Sequence, residues 1–208
     1  MLILANVIVF MVMLFSDYGL IDSSFVADLG NNFAMIPYEI VHGERLYTLF
    51  TSMFLHAGFF HIFGNMLYLY VFGDNVEDIF GHGSYLIFYF ICGLAASFAY
   101  IMSLTNPQSY MIPVIGASGA ISGVLGAYIV LYPRAKILTL VFYWLPIIVA
   151  IPAIVFLGFW FLMQWLLGVL FEGSSGVAYW AHIGGFIAGV ILALIFGRSR
   201  KKARETRV

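Results

Sequence analysis

Residues 145–170 read LPIIVAIPAIVFLGFWFLMQWLLGVL, an apolar run without one charged side chain. About 20 apolar residues suffice to carry a helix across the roughly 30 Å hydrocarbon core of a bilayer. Working outward, similar runs occupy 178–196 downstream and 118–132 upstream, the latter stopped by Pro133. Further back lie 84–104, closed by the break signal Asn106-Pro107, then 61–76, and finally 1–15. The composition agrees: 63% of the 208 residues are hydrophobic and 9% are charged. Soluble domains carry roughly 25% charged residues, so this chain cannot cover a water-facing surface. The expected fold class is an all-α integral membrane protein with six transmembrane helices.

The remaining features bound the function. A net charge of −1 argues against nucleic-acid binding. The single cysteine, Cys92, lies inside an apolar run and excludes a disulfide framework or a cysteine metal site. The first run lacks a basic leader and a small-residue cleavage site, and reads as a retained helix. Segment 16–60 mixes acidic residues and Arg45 with many aromatics, which suits a chain partly embedded at the membrane interface. Residues 1–197 are expected to form one domain, followed by a basic tail, 198–208. Arg134 and Lys136 between the fourth and fifth helices share a side with that tail, the cytoplasmic side by the positive-inside rule.

This topology gathers polar residues that are far apart in sequence. The second, fourth and sixth helices all start from the outer side. His61 and Asn65 fall in the first turns of the second, Ser118 opens the fourth, and His182 lies in the first turns of the sixth. Taken singly, a serine in a membrane helix bonds its own i−4 carbonyl and a histidine near a helix end is interfacial. Four such residues at one depth are a functional-site hypothesis instead.

The chemistry fits acyl transfer. A serine hydroxyl needs a base, and histidine supplies one near neutral pH. The free N–H groups of a helix N-terminus, where Ser118 stands, can receive an oxyanion. His61 and Asn65, spaced i, i+4, project from one helix face and can add donors. Glu77 lies sixteen residues beyond His61, roughly 24 Å along a helix, too far to orient His182. A Ser–His dyad without a carboxylate is therefore expected, with the histidine held by packing and other partners. Gly119, Gly123 and Gly126 of the fourth helix and Gly184, Gly185 and Gly189 of the sixth, the last two a GxxxG pair, allow the close helix approach this needs.

Three segments carry a resemblance: HAGFFHIFGNMLYLYVFGDNVEDIFG (56–81), GASGAISGVLGAY (116–128) and AHIGGFIAG (181–189). In order and spacing, over roughly 45–189, they resemble the rhomboid family of intramembrane serine proteases. The resemblance implies a rhomboid-like bundle with a membrane-embedded loop between the first and second helices. It makes Ser118 the nucleophile, His182 the base and later acid, and His61 and Asn65 oxyanion donors beside the Ser118 N–H. Gly73, Glu77 and Gly81 match a structural GxxxExxxG motif. The fifth helix and the 172–176 loop would be gate and cap. Transmembrane proteins would be the substrates and membrane lipids the surroundings. No cofactor or metal is implied. The compact form suggests a prokaryotic cell (inner) membrane.

Two positions depart from the family pattern. Tyr47-Thr48 stand where relatives often have Trp-Arg, and Ser122 where some have an aromatic that stacks on the histidine. Other readings are weaker. His56, His61 and His182 suggest a metal, but HExxH and clustered carboxylates are absent. His42 and His82 have no motif support; His56 could back the site from segment 16–60, but a surface role is the expectation. A transporter would show inverted repeats or midplane charges. A non-catalytic client-binding relative would lack the serine or histidine.

Overall fold

The computed structural model describes residues 1–17, 22–142, 144–171 and 176–206. Its centre is helix α7 (Ser118–Leu131), in which every residue from Ala120 to Tyr128 is buried. Four helices surround it: α5 (Phe59–Phe80), α6 (His82–Ser103), α8 (Ala153–Leu170) and α9 (Tyr179–Leu192). To complete the labels in chain order, α1 is Leu2–Asp17, α2 Ser23–Phe33, α3 Pro37–Val41 and α4 Thr48–Thr51, with α10 (Arg198–Glu205) at the end.

Glycine decides how α7 meets α9. A methyl group added to Gly185 would overlap the carbonyl oxygen of Gly119, and one on Gly189 that of Gly123. From the other side, a methyl on Gly126 would overlap the Phe186 carbonyl. Backbone therefore packs on backbone, the geometry that favours helix association in lipid, where no hydrophobic drive exists between helices. Helix α6 joins the same contact, with Cys92 against Gly123 and Ala99 against Gly184.

The GxxxExxxG motif forms the corner between α5 and α6. Gly81 has φ +78°, and its N–H bonds the Glu77 carbonyl at 2.7 Å. Gly73 leaves room for the Tyr85 hydroxyl, which would sit 2.9 Å from a β-carbon there. The Glu77 carboxylate pairs with His82 Nδ1 at 2.6 Å, well away from the N-terminal ends of α7 and α9.

Segment 34–58 is built into the protein, with Met35, Thr48, Ser52, Met53 and Leu55 buried. Its hub is Arg45, whose guanidinium donates to Glu39 at 2.8 Å, the Asn31 carbonyl at 2.5 Å and the Tyr47 hydroxyl at 3.3 Å. Tyr47 in turn donates to the Asn32 carbonyl, and buried Thr48 to the Arg45 carbonyl. The Tyr47-Thr48 departure is thus answered by Arg45, two residues earlier.

One expectation fails: the chain is not all-α. Lys136–Phe142 (β1) and Pro146–Pro152 (β2) form an antiparallel hairpin ahead of α8. Both strands are rich in β-branched residues, and prolines bound β2, the positions where strands tolerate them. A second finding concerns 198–205, which is helical and docked. Arg200 donates to the Phe80 carbonyl at 2.5 Å, and Lys201 to the Leu131 carbonyl at 2.6 Å. The C-terminal ends of α5 and α7 and the start of α10 therefore lie together, and the N-terminal ends of α5, α7 and α9 lie opposite.

Among the described residues, three helices are long and apolar enough to cross a membrane: His82–Ser103, Ala153–Leu170 and Tyr179–Ala203. A fourth is counted if Thr48–Phe54 and Phe59–Phe80, bent by 97°, form one broken span. Leu2–Phe15 and Ser118–Leu131 are apolar but shorter.

Candidate active site

Ser118 is the first residue of α7, after Gly116 at φ +126° and the buried Ala117. The first helical bond runs from Ile121 N–H to the Ala117 carbonyl, and no side chain caps this end. The N–H groups of Ser118, Gly119 and Ala120 therefore have no intrahelical acceptor. Gly116 is doubly required. Its φ disfavours other residues, and a β-carbon there would stand 2.9 Å from His61 Nε2. Two backbone links hold this turn to segment 34–58: Gly116 N–H to the Ser52 carbonyl at 2.9 Å, and a Met35–Val114 bridge of 2.8 and 3.1 Å.

His182 lies in the first turn of α9, and its Nε2 is 2.8 Å from Ser118 Oγ. Its Nδ1 is 2.7 Å from Oε1 of Gln164 on α8. A carboxamide oxygen only accepts, so these partners assign the proton to Nδ1 and leave the Nε2 lone pair facing the Ser118 hydroxyl. Trp160, also on α8, lies alongside the imidazole (centroids 6.1 Å apart, 34° between planes), and Tyr179 meets it edge-on at 6.5 Å. Ser122 does what an isolated helix serine does: buried, it bonds the Ser118 carbonyl four residues back at 2.6 Å. Ser118 is turned away from that habit by His182.

On α5, His61 Nδ1 accepts from the Ala57 N–H at 3.3 Å, which assigns a proton to Nε2 on the Gly116–Ser118 side. Asn65 Nδ2 donates to the His61 carbonyl at 3.0 Å; an amide nitrogen carries two protons, so this bond uses one of them. His56 corrects an expectation. It is 1% exposed, and its ring meets His61 edge-on at 5.0 Å, backing the site from segment 34–58 rather than facing the surface. Ser118, His182, His61, Asn65, Trp160 and Gln164 line one cavity of about 920 Å³.

The structure thus unites the four residues picked out by sequence and leaves Glu77 and His82 at the opposite end. Gln164 was missed, and nothing in the sequence placed Trp160 beside the histidine. A signal for Gln164 existed: it is the lone amide within an otherwise apolar helix, a costly placement in a membrane. The proposed cap, 172–176, falls almost wholly outside the described residues.

A family profile described as Rhomboid domain matches residues 43–199. The chain belongs to the rhomboid family. Among curated relatives, RHOMBOID-like protein 12, mitochondrial, from Arabidopsis thaliana is 32% identical over 82% of this chain and 51% of its own length. Rhomboid protein 1, mitochondrial, from Saccharomyces cerevisiae is 30% identical over 76% of the chain and 44% of the relative. Rhomboid protease GluP from Bacillus subtilis is 32% identical over 76% of the chain and 27% of the relative. The rhomboid chain described here therefore spans about half or less of these relatives. With its apolar helices and family it is an integral membrane protein.

Proposed function

We propose that this rhomboid is an intramembrane serine endopeptidase that cleaves transmembrane segments of membrane proteins with Ser118 and His182. The observation that carries the reading is the 2.8 Å contact between Ser118 Oγ and His182 Nε2, with Nδ1 already committed elsewhere. In the first step Oγ bonds to the scissile carbonyl carbon, its proton passes to Nε2, and the carbonyl electrons move to oxygen. The oxyanion is received by the open N–H groups at the start of α7, by His61 Nε2–H, and by the second amide proton of Asn65. His182 then protonates the amine as the oxyanion collapses and the C–N bond breaks. It next takes a proton from the water that attacks the acyl carbon, and returns it to Ser118 Oγ as the ester bond breaks. Polar side chains lining the cavity, including Ser97, Ser103 and Asn106, suit water entry.

The same proposal takes α1 and α5 to α9 as six spans forming one domain over 1–197, with the segment between the first two spans embedded in the membrane. Arg134, Lys136 and the basic segment 198–208 then face the cytoplasm. A prokaryotic cell (inner) membrane is the proposed location; of the three relatives above, two are named mitochondrial and one comes from a bacterium.

The test is cleavage of a single-pass reporter by purified protein in proteoliposomes, beside Ser118→Ala and His182→Ala. Both variants are expected to lose activity by at least about 10³-fold while staying folded, and a metal chelator to leave wild type unchanged. Folded wild type that is inert on several reporters and unlabelled by a fluorophosphonate would sink the proposal. A client-binding role without catalysis would then take its place.

A further inference from the structure

We propose that Gln164 is the positioning residue of this site, holding His182 in the productive tautomer as an orienting carboxylate does in other hydrolases. The inference rests on the protease reading above. A serine–histidine pair alone leaves the imidazole free to choose its tautomer and to turn about its side-chain bonds. With the proton on Nε2 the ring would donate to Ser118 instead of accepting from it, and the base would be absent. The Gln164 oxygen, 2.7 Å from Nδ1, selects against that state because it has no proton to give.

The surroundings point the same way. Helix α8 is otherwise apolar, and its other polar atoms are indole N–H groups, which only donate. Among the described residues no carboxylate is hydrogen-bonded to either ring nitrogen, and the ring's partners there are Gln164 and Ser118. Asp74, Glu77 and Asp78 stand at the opposite end of α5. A neutral acceptor also suits the depth of the site. A carboxylate would be costly to bury in this apolar helix, whereas a carboxamide with a bonded oxygen costs far less. When His182 carries the serine proton, both its N–H groups are donors, and Gln164 continues to receive one of them.

The experiment compares wild type, Gln164→Leu and Gln164→Glu in proteoliposomes by reporter cleavage, fluorophosphonate labelling rate, and ¹⁵N NMR of labelled histidine. In wild type the His182 spectrum is expected to report protonated Nδ1 and bare Nε2 above the imidazole titration. Gln164→Leu is expected to lower kcat and the labelling rate by about 10²-fold at little change in KM, with mixed tautomers. Gln164→Glu keeps an acceptor of the same reach and should restore most of the rate. It should also move the acidic limb of the rate–pH profile upward, because the added charge favours imidazolium. Should Gln164→Leu fail to fold, the Glu variant and the wild-type spectrum still decide. An Nε2-protonated His182 in wild type, or full activity in Gln164→Leu with an unmoved profile, overturns the proposal and leaves the dyad standing. Inert, unlabelled wild type defeats the protease reading itself.

Discussion

At the scale of single residues, the site depends on small groups placed where nothing larger fits. Gly116 must adopt φ +126° and also clear the His61 ring. Gly116→Ala is therefore expected to cost about 1–3 kcal/mol of stability, and to lower kcat beyond what that loss explains by displacing His61. Gly83→Ala, in α6 with open space around it, should be neutral or stabilising by up to about 1 kcal/mol. Thermal melts and reporter kinetics on the two variants check the contrast; equal behaviour would refute it. Ser118, His182, His61 and Asn65 were legible because each sits in a motif and topology sets all four at one depth. Gln164 was not, since a glutamine in an apolar helix matches no motif and its partner lies eighteen residues away. His56 was misjudged for a related reason. Its burial depends on how segment 34–58 folds back, which no local pattern encodes.

At the scale of elements, the α7–α9 crossing was readable from its glycines, and the hairpin was not. A GxxxG pair facing GASGAISGVLGAY marks where two backbones can approach closely in lipid. The apolar stretch 137–151 carries no such mark, because short apolar runs fit strand and helix alike. Pro146 and Pro152 were the available cues, and they mark the ends of β2. The crossing yields a prediction. Gly189→Val puts a branched side chain where the Gly123 carbonyl oxygen already stands. It should push the helices apart, destabilise by about 1–3 kcal/mol or more, and lengthen the Ser118–His182 contact enough to abolish cleavage. Denaturation midpoints in detergent, read beside fluorophosphonate labelling, check it. Unchanged labelling would mean the helices tolerate separation.

At the scale of the whole molecule, the basic C-terminal segment proves to be a fastening as well as a topology signal. Arg200 and Lys201 cap the last carbonyls of α5 and α7, and Lys201 also lies 4.4 Å from the Tyr132 ring centroid. Replacing both with glutamine should cost about 1 kcal/mol per contact and open 198–206 to proteases. Unaltered melting and proteolysis would show the contacts to be dispensable. Positive charge after the last span was plain in the sequence. Which carbonyls it would meet was not, because that depends on where two other helices end.

Those fastenings bear on where the protein can be cut. Val114, beside the nucleophile turn, pairs with Met35; Arg45 holds Glu39 and the Asn31 carbonyl; Thr51 bonds the Phe33 carbonyl. All four of these partners precede the 43–199 stretch shared with the family, and Arg200 and Lys201 follow it. A fragment trimmed to the shared stretch would keep Ser118, His182 and Gln164 and still forfeit the ties that hold the serine turn and close two helices. The family profile and cooperative folding thus draw different boundaries on this chain.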